Sequence, residues 1–200
     1  MLNEVYHRGM AWWPPLGIGL LCLLLGALEP SAGNGLRYER GLVEGGQVWR
    51  IITAHLVHAG NAHLWLNVAA LWLLPLVSPD VQQWRVWAFR MLLLSLVVGI
   101  GLHVFNQGLW GYVGLSGVLH GLYVVVLLHA ASRGDGLARV VLAIVVGKLI
   151  WEQYDGALGT TRALVELPVI VDAHAYGALG GALAWCAETL RGSDQSARQA

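Results

Sequence analysis

Cutting the sequence at its charged, proline and glycine positions leaves six apolar stretches. They run from Trp12 to Leu28, Ala62 to Val77, Val86 to His103, Leu115 to Ala131, Leu137 to Trp151 and Pro168 to Ala187. Each reads as a membrane helix, although several fall short of the roughly 20 residues of an ordinary span, so their ends are loosely defined. The pattern predicts an all-α, polytopic membrane protein, a six-helix bundle forming a single domain over residues 1–200. Trp12, Trp13, Trp49, Trp84, Trp87, Trp110, Trp151 and Trp185 fall mostly at the edges of these stretches, where an indole keeps one end wet. The one long connection, residues 29–61, is broken by Gly33, Gly35, Gly41, Gly45 and Gly46. Its Leu36, Leu42, Val43, Val48 and Trp49 are too apolar for a free linker, which predicts a loop folded against the membrane. Residues 192–200 read as a polar C-terminal tail.

Composition supports the bilayer as solvent. The chain is 56% apolar and 12% charged, with ten tryptophans and a mean hydropathy of +0.59, which leaves no polar skin for a water-soluble domain. Twelve basic residues balance twelve acidic ones, so neither nucleic acid binding nor a polybasic lipid-binding tail is indicated. Cys22 and Cys186 each lie in an apolar stretch and read as packing residues, with no disulfide framework or thiolate cluster. Arg8 ahead of the first stretch resembles the start of a signal peptide. The Trp12-Trp13-Pro14-Pro15 lead-in and the lack of a small-x-small cleavage site favour a retained helix. Arg8, Arg85, Arg90, Arg133, Arg139, Arg191 and Arg198 lie on one side, against Arg37, Arg40, Arg50 and Arg162 on the other. Seven against four places both termini in the cytoplasm.

The second, fourth and sixth stretches run in the same direction, so His63, Ser116 and His174 lie near one membrane face. His174 sits roughly 9 Å below the start of its stretch. Ser116 reaches it if the fourth helix begins inside a membrane-embedded loop formed by Gly108 to Gly114. A lone serine in a membrane helix ordinarily bonds a backbone carbonyl or fills a small packing position. Here Gly114 and Gly117 flank Ser116 and allow close approach of a partner, and His174 is the candidate base that would activate its hydroxyl. Gly177 and Gly181 form G-x-x-x-G one turn beyond His174, a face suited to Gly117 and Gly121 of the fourth stretch. This packing would hold base and nucleophile together without a carboxylate to orient the base.

His63 and Asn67 are four residues apart on one helix face, and both can donate to a developing oxyanion beside the Ser116 amide. His55, His58 and His63, with His120 and His129, invite a metal reading. No H-E-x-x-H is present, however, and Glu44, Glu166 and Asp172 fall in loops or near stretch ends. His58 reads instead as a structural bridge to the long loop, and Lys148 with Glu152 as an i,i+4 pair stabilising a helix end. Asp172, on a different helix face from His174, is a weak candidate for orienting it.

Taken together, Trp49-Arg50, His58 with His63-x-x-x-Asn67, Gly114-Leu115-Ser116-Gly117 and His174-x-x-Gly177-x-x-x-Gly181 resemble the rhomboid family of intramembrane serine proteases, over Trp49 to Ala187. The resemblance implies a six-helix core, a Ser116/His174 dyad, and an oxyanion site made by His63, Asn67 and the Ser116 amide. It also implies a first loop stabilised around Trp49 and Arg50, and a gate for transmembrane substrates formed by the fifth helix and the loop before the fourth. Many rhomboids carry tyrosine four residues after the serine, where this chain has His120, next to Gly121. That variant, the small size and Ala54-His55-Leu56-Val57-His58 resemble the bacterial rhombosortase subgroup. The subgroup resemblance implies cleavage of exported, membrane-anchored proteins near a C-terminal glycine-glycine, hydrophobic helix and basic-tail signal, with water or another membrane component taking the product. The expected setting is the bacterial inner membrane, with the site opening to the periplasm. The expected partners are transmembrane substrates and the lipid bilayer, and no metal or organic cofactor is required. Two other readings use the same residues: a catalytically inactive rhomboid-like client-binding protein, and a small membrane transporter with intramembrane histidines.

Overall fold

The computed structural model describes residues 12–29, 31–77, 84–159 and 168–199, with side chains described as far as residue 191. Arg8, Arg162 and Glu166, and the side chain of Arg198, lie outside the described residues. Six long helices occupy the predicted stretches: α1 (Trp13–Ala27), α2 (Asn61–Val77), α3 (Trp84–Phe105), α4 (Ser116–Ser132), α5 (Gly136–Asp155) and α6 (Val171–Gln199). Local chemistry explains several ends. Pro14 and Pro15 stand in the first turn of α1, where a missing N–H costs nothing. The Asp135 carboxylate accepts from Ala138 N at 3.1 Å and caps α5, which stops at Gly156 with φ +77°. α6 carries on past Ala187 to Gln199, so the backbone of the polar C-terminal segment is helical as far as 199.

α4 is the middle of the bundle. Its 17 residues rise about 26 Å, a little less than the hydrocarbon core of a bilayer. Gly117, Val118, Leu119, Gly121, Leu122 and Val124 to Leu127 are all buried, and α4 adds nothing to the large exposed apolar side chains among the described residues. The other helices carry those outward: Leu20 and Leu24 on α1, Leu73 and Leu76 on α2, Ile144 and Ile150 on α5, and Leu179 and Leu183 on α6. α3 is long and apolar enough to cross a membrane, and Arg50–Leu56 and α2 reach that length and apolarity only together, bent by 90° at their break. At the end remote from Ser116, Glu188 of α6 receives Arg90 of α3 at 2.8 and 2.6 Å and His129 of α4 at 2.7 Å, tying three helices together. Cys22 is buried in the core, but Cys186 faces outward, so the packing reading fits only the first. Trp87 also differs from the edge tryptophans, being buried inside the bundle.

The long loop folds back onto the bundle through its backbone. Tyr38 and Glu39 pair antiparallel with Gly111 and Tyr112, a two-residue strand pair in an otherwise helical protein. Buried irregular backbone must be satisfied by protein, and arginines do this here. Arg40 donates to the carbonyls of His103 at 2.8 Å, Asn106 at 3.1 Å and Leu109 at 3.1 Å, closing the C-terminus of α3. Arg50, only 4% exposed, donates to Gln47 Oε1 at 2.8 Å and to the carbonyls of Arg37 at 2.7 Å and Asn34 at 3.0 Å. Trp49 is half exposed, with its indole donating to Gly35 O at 3.3 Å, so the loop is held by Arg50 more than by its neighbour. Arg50→Leu strips these buried acceptors of their donors and is expected to cost about 3 kcal/mol. A drop in the thermal midpoint in detergent, with new proteolytic cuts between residues 33 and 50, would register the loss; an unchanged midpoint and digest would refute it.

Candidate active site

The segment leading into α4 fixes Ser116. Gly114 has φ +120°, its N–H donates to Ala54 O at 3.0 Å, and its carbonyl accepts from the Tyr112 hydroxyl at 2.9 Å. A Cβ at Gly114 would also come within 2.5 Å of His63 Cε1, so both the conformation and the space require glycine. The chain then turns into α4 with Ser116 as its first residue, Oγ directed at the first turn of α6. There His174, 4% exposed, has Nε2 at 3.0 Å from Ser116 Oγ.

This approach is possible because α4 and α6 meet backbone to backbone. A Cβ on Gly117 would meet the Ala173 carbonyl at 2.8 Å, and one on Gly121 the Gly177 carbonyl at 2.5 Å. Gly177 and Gly181 face the carbonyls of Gly117 and Gly121 even more closely. The G-x-x-x-G face pointed out in the sequence is thus the seam that sets the serine–histidine separation.

The hydrogen-bond network assigns the histidine tautomers. His174 Nδ1 lies 2.9 Å from Glu152 Oε2 of α5; a carboxylate accepts, so Nδ1 carries the proton and Nε2 is free to accept from Ser116. His120 stacks on His174 with centroids 4.1 Å apart and an interplanar angle of 20°. Its Nδ1 donates to the Ser116 carbonyl at 2.7 Å, leaving Nε2 to accept from Lys148 Nζ at 3.0 Å. Lys148 in turn meets Glu152 Oε1 at 2.7 Å. The expected i,i+4 pair therefore exists, but its setting corrects the sequence expectation: Glu152 is 1% exposed and bonds the histidine, so the pair is not merely a helix-end feature. The expectation that no carboxylate orients the histidine is likewise corrected. Asp172, the acid weighed for that task, accepts instead from the Asn106 amide.

Ser116, His58 and His63 line a cleft of about 600 Å³, together with Tyr38, Trp110 and the segment 168–170. His63 Nδ1 accepts from Ala59 N at 3.4 Å, which leaves Nε2–H as its donor beside Gly114. Asn67 is buried one turn further along α2, and its amide donates to the His63 carbonyl at 3.0 Å, bracing the turn that carries His63. His58 packs edge-on against His63 with centroids 5.2 Å apart. Two of the histidines weighed as metal ligands have other partners: His55 donates to Ser95 O at 3.1 Å, and His129 binds Glu188. One different set, His120, Glu152 and His174, offers donor atoms within 4.8 Å of one another. The Lys148 ammonium already supplies a cation to two of its members.

Fold and site together give a helical bundle in which Ser116, paired with His174, lines an open cleft. The sequence model of the Rhomboid domain matches residues 45–188, and the chain belongs to the rhomboid family. Over 145 residues it is 26% identical to YdcA of Bacillus subtilis (strain 168), provisionally named a rhomboid protease, covering 70% of this chain and 67% of YdcA. Over 148 residues it is 28% identical to the rhomboid protease GluP of the same organism, covering 68% of this chain but only 28% of GluP.

Proposed function

We propose that the protein is an intramembrane serine endopeptidase with Ser116 as nucleophile and His174 as base. The observation that carries this reading is the 3.0 Å contact between Ser116 Oγ and His174 Nε2, with the imidazole proton held on the opposite nitrogen. A transmembrane substrate enters laterally and unwinds at small residues, because an intact helix hides its carbonyls from attack. The Ser116 oxygen adds to the scissile carbonyl carbon as its proton passes to His174 Nε2. The oxyanion is received by His63, Asn67 and the Ser116 amide, each such donor worth about 3 kcal/mol in the transition state. His174 then returns the proton to the leaving amine as the C–N bond breaks. Water adds to the resulting ester and regenerates the serine; an amine acceptor in the same position would give transfer instead.

His120 and the Ala54 to His58 segment support a substrate of the rhombosortase type, with glycine-glycine before a hydrophobic helix and a basic tail. The arginine distribution supports cytoplasmic termini and a site opening to the periplasm of a bacterial inner membrane. The test is incubation of purified wild type and Ser116→Ala with a membrane protein carrying that C-terminal signal, followed by mass spectrometry of the new termini. A cut or acceptor adduct made only by wild type is expected. Equal product from both proteins would discard Ser116 as nucleophile, and client capture without any Ser116-dependent product would favour an inactive client-binding protein.

A further inference from the structure

α5 contributes a pair of charges that the proposed chemistry does not use. Five contacts close into a ring that begins and ends at Ser116. Ser116 Oγ meets His174 Nε2 at 3.0 Å, His174 Nδ1 meets Glu152 at 2.9 Å, and Glu152 meets Lys148 at 2.7 Å. Lys148 then meets His120 at 3.0 Å, and His120 returns to the Ser116 carbonyl at 2.7 Å. Resting on the serine-protease reading, we propose that Glu152 is a positioning residue for His174, and that Lys148 holds Glu152 in place for that task.

Two arguments carry it. A neutral imidazole has two tautomers, and only the one protonated at Nδ1 presents a lone pair to Ser116. With a carboxylate at Nδ1 the wrong tautomer would set two lone-pair-bearing atoms against each other, so Glu152 selects the productive form. When His174 takes up the serine proton, its new charge develops 2.9 Å from a carboxylate already in position and shielded from water, so no reorganisation is needed. A buried acid without a counter-charge would be costly, and Lys148 supplies one from the same helix face. The lysine also fixes the far nitrogen of His120, the ring that covers the other face of His174.

The test needs no knowledge of the client. A fluorophosphonate probe phosphonylates an activated serine: the Ser116 oxygen would bond phosphorus, fluoride would leave, and His174 would take the proton. Saturation kinetics give a maximal rate and a half-saturating concentration separately. Glu152→Gln is expected to slow the maximal rate by about 100-fold or more, with half-saturation unchanged within about twofold. Because this substitution leaves the Lys148 charge without its partner, the double variant Glu152→Gln/Lys148→Met is measured beside it, with the thermal midpoint reporting folding. A merely structural role would restore the rate per folded molecule in the double variant, whereas the positioning role leaves it slow. A rate within about threefold of wild type in either folded variant overturns the inference. A wild-type protein that does not react, or one whose labelling survives Ser116→Ala, overturns the serine-protease reading itself, which is a separate failure.

Discussion

Ser116→Ala, His174→Ala and the double variant are expected to be equally inactive, each down by about 10⁶-fold in kcat. In the proposed mechanism Oγ and Nε2, 3.0 Å apart, act as one unit, and neither contributes to catalysis without the other. A serine without a base is a weak nucleophile, and a base without the serine has no proton to take. The second substitution therefore removes nothing the first had left, and residual turnover reflects the oxyanion donors and binding alone. All three proteins should fold, because the α4–α6 seam is built from glycine backbone that these changes do not touch. Single-turnover cleavage with active material quantified by thermal unfolding would check this. Losses that multiply in the double variant would mean that serine and histidine contribute independently, which the mechanism does not allow.

The second large effect concerns folding. Gly177→Leu places a side chain where the Gly117 carbonyl already sits, and neither atom can move without parting α4 from α6. Overpacking a flexible core costs about 1–3 kcal/mol, but here the obstacle is backbone on a central helix, so a loss of about 4 kcal/mol or more is expected. Gly147→Leu is the control: a Cβ there meets nothing within 4 Å, and glycine to leucine in an open helix position gains up to about 1 kcal/mol. Thermal midpoints in detergent should fall sharply for the first and hold or rise for the second. Similar midpoints for both would mean that the seam is not as tight as its geometry indicates.

The six helices were legible because lipid-facing and core positions are both apolar, so each span stands out as a block between charges. The closeness of α4 and α6 was legible because Gly117, Gly121, Gly177 and Gly181 repeat at helical spacing. Glu152 was not. Lys148 four residues earlier gives it a partner in sequence, and a pair that satisfies itself looks finished. Only the running direction of α5 could have exposed it: that helix ends on the face where α4 and α6 begin, which brings its last turns to the depth of Ser116. Arg40 and Arg50 were visible as residues, but their partners are mostly backbone carbonyls, which leave no mark in a sequence. The Tyr38–Tyr112 pairing was hidden for the same reason.

The seam between α4 and α6 also has a consequence for biosynthesis. Ser116 and His174 are 58 positions apart along the chain. At about 5–20 residues per second, the serine leaves the ribosome roughly 3–12 s before the histidine. During that interval the nascent protein has no His174 beside Ser116, and the glycine face of α4 has nothing to close against. An unfinished chain therefore stands among other newly inserted membrane proteins with its serine unpartnered. On the proposed mechanism, synthesis of the sixth helix is the step that arms the site.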